Sequence, residues 1–180
     1  MPIFCRRRQN HIRFFDLRSG SGYSANTQLE SGRWEQIRMG TGQSIRLGMV
    51  GGGPGSGIGP AHRYGASMDG AFKLVAGAFS RDPDKNAQMG ESLGLDPERV
   101  YADFETMAVA ERKLTDGIRA VSIVTPNDSH VPACLAFIKQ GIHIICDKPL
   151  ATSFKDAVTA YRAARSGKSR HCSVNVRWSG

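Results

Sequence analysis

Apolar residues from position 45 onward gather in short runs that are separated by stretches of helix length. The runs cover residues 45–50, 72–79, a short segment around Val100, 120–124 and 142–146. Each run is nearly continuous rather than alternating, which is typical of strands buried on both faces of a parallel sheet. The pattern therefore predicts five strands.

Helix signals lie between these runs. The predicted helices cover residues 62–68, a segment from 83 onward, 104–113, 128–140 and a last segment that ends near Gly167. Asp82 and Pro83 suit an N-cap and a first helical position. Asp103 suits a second N-cap, and Ser153 with Asp156 resembles a capping box. Strands that alternate with helices predict an α/β fold, a doubly wound parallel sheet of the Rossmann type with three αβα layers.

The chain divides into three parts by its patterning. Residues 1–44 have no sustained period and are rich in Arg, Ser and Gly, so we interpret them as a disordered or non-native extension. Their Arg-rich start also resembles a transit peptide, although Asp16 and Glu30 interrupt that pattern. Residues 45–168 form the predicted domain, and residues 169–180 are interpreted as an aberrant or truncated tail.

The formal net charge of +8 comes from the two ends of the chain. Residues 1–44 carry seven basic and three acidic side chains, residues 157–180 carry five basic and no acidic ones, and the stretch between them is close to neutral. A neutral domain without a recognisable nucleic-acid-binding motif argues against a nucleic-acid partner. Apolar runs of this length also argue against a membrane span.

The four cysteines are far apart and form neither a CxxC pair nor a disulfide framework. Their positions are Cys5, Cys134, Cys146 and Cys172. We therefore expect a reducing, cytoplasmic environment and no metal site.

A glycine-rich segment, GGGPGSGIG at 51–59, follows the first predicted strand directly. Glycines at this place allow a tight turn and let the backbone approach a pyrophosphate at the start of the next helix. Gly51, Gly53 and Gly59 fit the three glycine roles if the loop is about three residues longer than the usual G-x-G-x-x-G. No Gly-Lys-Ser/Thr follows, which argues against a P-loop.

The end of the second predicted strand carries Ser80 and Arg81 where an acidic residue usually binds the ribose of NAD. A hydroxyl and a guanidinium suit a 2′-phosphate, because Arg offers a bidentate fork to phosphate oxygens. The cofactor is thus expected to be NAD(P), with NADP slightly favoured. The alternative is that Arg81 is a solvated loop charge.

Two further motifs complete a resemblance to a known family. The segments VSIVTPNDSH at 121–130 and HIICDKPLA at 143–151 resemble the TPN-x-x-H and E-K-P signatures of the Gfo/Idh/MocA oxidoreductases. Gly59-x-x-His62 also resembles that family's junction between loop and helix. The resemblance covers about residues 45–168, with Asp147 standing where the family usually has Glu.

The resemblance implies roles for individual residues. Thr125, Pro126, Asn127 and His130 would lie along the cofactor, and Asp147, Lys148 and Pro149 would line its nicotinamide end. Lys148 would be the catalytic residue that binds or polarises the reacting hydroxyl or carbonyl. Without the resemblance, the Asp-Lys-Pro segment could be an ordinary turn and His130 an ordinary helix residue.

The resemblance also implies a function: hydride transfer between NAD(P) and a sugar or inositol-like polyol, in a protein that is a homo-oligomer at full length. The family's second α/β domain, which supplies the substrate pocket, is expected to be absent from this chain. Activity of the chain alone is therefore uncertain, because hydride transfer needs substrate held against the cofactor. The alternatives are a non-catalytic dinucleotide-binding fragment and a Rossmann-like methyltransferase, against which the TPN and DKP segments argue.

Overall fold

The computed structural model describes residues 44–68 and 70–166 and the backbone of 171–174. The interpretations of residues 1–43 and of most of the 169–180 segment lie outside the described residues. Residues 171–174 of that segment pair with the sheet as a strand.

In the described part of the chain, five parallel strands form one sheet in the order β2-β1-β3-β4-β5. They are β1 Ile45–Gly51, β2 Phe72–Ala78, β3 Ala120–Val124, β4 His143–Asp147 and β5 His171–Val174. The chain moves from β1 to one side, and after β2 it returns to the other side of β1. The carboxyl ends of β1 and β3 therefore flank the switch point at which a doubly wound sheet binds its ligands. The predicted fold class is confirmed.

Within residues 44–68 and 70–166, five helices connect and follow the strands. They are α1 Ile58–Ser67, α2 Pro83–Ser92, α3 Phe104–Lys113, α4 His130–Lys139 and α5 Phe154–Ser166, with 3₁₀ turns at Pro97–Arg99 and Asn127–Ser129. The Asp82 side chain accepts hydrogen bonds from the amides of Asp84 and Lys85, and Asp103 accepts one from the amide of Thr106. The two predicted N-caps are thus confirmed. Among the described residues no helix is long and apolar enough to cross a membrane.

Three elements differ clearly from the sequence prediction, and the ends of β1, β2 and β4 differ by one residue. The strand predicted around Val100 is wrong: Val100 makes a single parallel bridge to Gly77 at the edge of β2. The helix predicted over 128–140 begins at His130, because the preceding Asn127–Ser129 forms a 3₁₀ turn. Helix α1 begins at Ile58, earlier than predicted, since the glycine-rich turn closes within six residues of β1.

Apolar side chains cover both faces of the sheet. On one face, Met107, Val121, Ile123, Phe137 and Ile144 are among the residues that form the larger cluster. On the other face, Met49, Phe79 and Val124 pack with side chains that include Ile58 of α1 and Met89 of α2. This two-sided burial explains why the strands read as continuous apolar runs.

A buried carboxylate ties α3 to the loops beside it. Glu111, which is 1% exposed, accepts hydrogen bonds from the Arg99 guanidinium, the Tyr101 hydroxyl and the Ile118 amide. Burial, together with the hydrogen bond to Glu111, raises the pKa of Tyr101 to about 12. Because the carboxylate is surrounded by donors, the network stabilises the fold at a distance from the carboxyl ends of the strands.

Candidate functional site

The glycine-rich turn between β1 and α1 is closely packed at Gly51, Gly52, Gly53 and Gly59, where a side chain would meet neighbouring atoms. Gly51 and Gly52 have φ angles of +80° and +73°, which favour glycine. A Cβ on Gly53 would stand 2.8 Å from the Phe79 carbonyl oxygen, and one on Gly59 would stand 2.7 Å from the Cα of Gly52. The turn therefore presents bare backbone at the switch point.

The start of α1 is suited to an anion. The Ser56 hydroxyl accepts a hydrogen bond of 3.1 Å from the Gly59 amide, and the first turn of α1 contains no acidic residue. The positive end of the helix dipole is thus not neutralised by a carboxylate of its own. Arg63, one turn further, donates a hydrogen bond of 3.0 Å to the Gly52 carbonyl and braces the turn.

The end of β2 lies beside the glycine turn and is held by a buried asparagine. Asn86 accepts from the amides of Phe79 and Ser80 and donates to the Tyr101 carbonyl. The Ser80 hydroxyl accepts from the amide of Asp82, while the exposed Arg81 reaches the Ser129 hydroxyl at 3.5 Å, a weak contact. This loop thus has a fixed backbone and a guanidinium at its surface.

The end of β3 carries the Thr-Pro-Asn segment. Pro126 and Asn127 are exposed, and the half-buried Thr125 has a side-chain oxygen that lacks a hydrogen-bond partner among the described residues. A buried hydroxyl without a partner costs free energy unless a bound molecule satisfies it. The segment therefore offers polar groups beside the glycine turn.

His130 joins this segment to the loop after β4. It is 1% exposed, its Nδ1 lies 2.7 Å from the Pro149 carbonyl oxygen, and its Nε2 lies 2.9 Å from the Thr125 carbonyl oxygen. Since carbonyl oxygens only accept, both nitrogens must be protonated for both bonds to form. Contacts with the Cys146 thiol and with these two carbonyls raise the pKa of His130 to about 9, while burial opposes the shift. Its ring has no nitrogen left for a cofactor.

The loop after β4 contains the Asp-Lys-Pro segment. Asp147 is the last residue of β4 and is buried, whereas Lys148 and Pro149 are exposed, and the peptide bond between the latter two is cis. The lysine is therefore free to meet a ligand in solution, and the carboxylate faces the interior. The loop thus places the ammonium of Lys148 at the surface and the neighbouring carboxylate of Asp147 in the interior.

The structure brings the predicted site residues to one edge of the sheet. Gly51, Gly53, Gly59, Ser80, Arg81, Thr125, Pro126, Asn127, Asp147, Lys148 and Pro149 lie at the carboxyl ends of β1 to β4 or at the start of α1. His130 lies beneath them rather than along the surface. The glycine cradle, the start of α1 without an acidic residue and the unpartnered Thr125 hydroxyl together fit a dinucleotide. No cluster of metal-ligating side chains occurs in the described part of the chain.

Two residues of the site escaped the sequence analysis. Asn86 lies within a polar helix, where nothing in the pattern distinguishes it from solvated neighbours, although it is 6% exposed. Ser122 lies inside the apolar run of β3, and its hydroxyl is 2.9 Å from the Nδ1 of His62. A polar residue inside a buried strand is a signal that could have identified Ser122, because buried polar groups need partners.

A sequence model of the Gfo/Idh/MocA oxidoreductases, described as an oxidoreductase family with an NAD-binding Rossmann fold, matches residues 45–176. The chain belongs to this family. It is 48% identical over 107 residues to the uncharacterized oxidoreductase YfiI of Bacillus subtilis (strain 168), across 59% of the chain and 27% of that protein. It is 31% identical over 121 residues to inositol 2-dehydrogenase 4 of Saccharopolyspora erythraea, across 67% of the chain and 33% of that protein.

Solved structures agree with the assignment. An oxidoreductase from Sinorhizobium meliloti shares 50% identity with a TM-score of 0.70, over 73% of this chain and 36% of its own. An inositol dehydrogenase homolog from Azotobacter vinelandii, complexed with NAD⁺, shares 41% identity with a TM-score of 0.71, over 73% of this chain and 34% of its own. The chain thus spans about a third of the length of these relatives, and within that third it is an NAD-binding Rossmann domain of the family.

Proposed function

We propose that the chain forms the cofactor-binding part of an NAD(P)-dependent oxidoreductase that acts on a sugar or an inositol-like polyol. The observation that carries the proposal is the glycine turn at the switch point, where closely packed glycine backbone meets a helix start without an acidic residue. An inositol dehydrogenase homolog of similar sequence and fold has been solved with NADH and myo-inositol. The substrate class is inferred from this relative and from inositol 2-dehydrogenase 4.

The roles of individual residues follow from their positions. Gly51, Gly53 and Gly59 would admit the pyrophosphate, Thr125 and Asn127 would line the cofactor, and Asp147 with Pro149 would shape its nicotinamide end. The nicotinamide, when bound, accepts or donates the hydride. His130 is assigned to hold the two loops together and not to contact the cofactor, because both of its ring nitrogens are occupied.

Lys148 is the residue we propose to contact the substrate. Its exposed ammonium follows Asp147 directly and stands at the strand end next to the Thr-Pro-Asn segment. A lysine there can donate a hydrogen bond to the reacting oxygen and take or return its proton. Lys148→Met, which keeps much of the side-chain volume, should leave cofactor affinity nearly unchanged and should abolish turnover when the domain acts together with a substrate-binding part.

Preference for NADP over NAD is proposed from Ser80 and Arg81. The Arg81 guanidinium is exposed at the end of β2, where it can meet a 2′-phosphate with two parallel hydrogen bonds. Its contact with Ser129 is weak enough to be exchanged for a phosphate.

Thermal unfolding with NADH, with NADPH and without ligand tests the proposal. A ligand at a hundred times its Kd adds about 2.7 kcal/mol of stability, so binding should raise Tm by several degrees. A larger rise with NADPH would support the role of Arg81. A cooperative transition that neither nucleotide moves would overturn the cofactor assignment. Stabilisation without turnover of myo-inositol or glucose would favour a non-catalytic dinucleotide-binding fragment.

A further inference from the structure

Two buried side chains face each other between α1 and the end of β4. His62 lies in the second turn of α1, and Asp147 ends β4. Their side chains are 6% and 11% exposed, and the His62 Nε2 is 3.7 Å from the Asp147 Oδ1. This separation is too long for a hydrogen bond but short enough for a direct electrostatic interaction.

The other ring nitrogen of His62 fixes its orientation. Nδ1 lies 2.9 Å from the Ser122 hydroxyl on β3, which leaves Nε2 directed at Asp147. Neither Nε2 nor Oδ1 has a hydrogen-bond partner among the described residues. Two buried polar atoms that face each other without other partners are arranged to bond to one another once a small movement closes the gap.

The charge state of His62 agrees with this arrangement. Burial lowers the pKa of His62, and the Asp147 carboxylate opposes that effect. A neutral ring can accept a hydrogen bond from Ser122 at Nδ1 and donate one from Nε2 to the carboxylate. Arg63, the next residue on α1, is directed elsewhere, toward the Gly52 carbonyl and the Met49 sulfur.

We propose that His62 is a positioning residue: held by Ser122, its ring fixes the Asp147 carboxylate and, through it, the loop that presents Lys148. The proposal links the helix that begins the glycine-rich site to the loop of the reactive lysine. It rests on the proposed function for the role of Lys148, whereas the link between His62 and Asp147 stands on the geometry alone. Asp147 is one methylene shorter than Glu, so Asp147→Glu should close the gap.

The first test uses NMR on the full chain without ligand. The ¹⁵N signals of the His62 ring report its tautomer and protonation, and the backbone amide of Lys148 reports the position of the loop. At neutral pH the proton should be on Nε2, and the Lys148 amide should shift with the same midpoint as His62. Asp147→Asn should lower the pKa of His62 and remove the coupled shift, while Asp147→Glu should raise that pKa and keep the shift.

Tyr64→Phe is the matched control, because Tyr64 is on the same helix and its side chain is 72% exposed. It should behave as the wild type in every measurement. The proposal would be overturned if the chemical shift of the Lys148 amide did not change as His62 titrates. It would also be overturned if Asp147→Asn left the titration midpoint of His62 unchanged.

The second test separates positioning from general loss of structure. The affinities of NADPH and of ADP-ribose are measured for the wild type, His62→Gln, Asp147→Asn and the double variant. Each single change should lower the affinity for NADPH at least about twofold and leave the affinity for ADP-ribose unchanged. The double variant should bind NADPH no more weakly than the single variant with the lower affinity, as expected for coupled residues. Equal losses for both ligands would contradict a role in positioning. A wild type that binds neither ligand would defeat the proposed function, and the NMR result would still decide whether His62 controls the loop.

Discussion

Gly51 at the end of β1 lies opposite Val124 at the end of β3, so close that a Cβ on Gly51 would stand 2.8 Å from the Val124 carbonyl oxygen. The two strands that flank the switch point thus approach each other with no side chain between them. The same contact sets where the chain leaves the sheet and turns toward α1. The geometry of the glycine-rich turn therefore depends on the absence of a Cβ atom at Gly51.

Gly51→Ala and Gly55→Ala form a matched pair that tests this crowding. The two glycines have nearly equal φ angles, +80° and +81°, but a Cβ on Gly55 would have no described heavy atom within 4 Å. Gly55→Ala should lower the free energy of unfolding by about 1–2 kcal/mol, the strain of a left-handed residue. Gly51→Ala should cost a further ~1–3 kcal/mol, as overpacking does. Urea denaturation measures both, and equal losses would contradict the close approach.

Stability should fall at alkaline pH because of His130. Its pKa is raised to about 9 in the folded chain from 6.5, so its contribution is complete below about pH 6.5 and is lost as the pH rises through about 9. Between pH 6 and pH 10 the free energy of unfolding should fall more steeply in the wild type than in His130→Gln. Parallel curves from urea titrations would show that the ring is not held as a cation.

Loss of the buried carboxylate at Glu111 should destabilise the fold strongly. Glu111→Ala leaves the Arg99 guanidinium, whose side chain is 13% exposed, without its main partner and leaves the Ile118 amide unpaired. The expected loss is about 3–5 kcal/mol, the range for a broken buried ion pair. Glu105→Gln on the same helix removes an exposed carboxylate and should change stability by less than about 0.5 kcal/mol. Similar losses in chemical denaturation would argue against the network.

Arg81→Ala should reduce discrimination between the two nicotinamide dinucleotides. A charge-assisted contact contributes about 1.5–3 kcal/mol, so NADPH affinity should fall by at least about tenfold while NADH affinity changes little. Fluorescence titration measures both. Arg162→Ala, which removes an exposed positive charge from α5, is the control and should affect neither nucleotide. Equal weakening of both nucleotides by Arg81→Ala would mean that the guanidinium does not recognise the 2′-phosphate.

The sequence was sufficient for the elements that have strong local signals. Continuous apolar runs identified β1 to β4, and Asp82 and Asp103 marked helix starts, because these features act over a few residues. The strand prediction around Val100 was wrong because a short apolar run indicates burial. It does not indicate whether the segment pairs along its whole length with a neighbouring strand. Val100 reaches β2 by one bridge and otherwise fills space beside α2, where its side chain meets Gly90.

The sequence indicated candidate residues that lie at the carboxyl ends of the strands, but it did not indicate their contacts. The motif placed His130 with the cofactor, but its position depends on carbonyl groups of residues 125 and 149, which no local pattern reveals. The bond from His62 to Ser122 joins residues 60 positions apart and depends on how α1 packs on β3. Such contacts arise from tertiary packing, so one sequence alone does not indicate them.

Asn86 determines how freely the loop after β2 can move. Its side chain accepts hydrogen bonds from the Phe79 and Ser80 amides and donates one to the Tyr101 carbonyl. Asn86 is 6% exposed. The conformational entropy of this loop is therefore lost when the chain folds, and a nucleotide that arrives later meets a backbone already in place. At this loop, the contact proposed for Arg81 would then require ordering of its side chain, which for one flexible side chain costs about 0.5–1.5 kcal/mol.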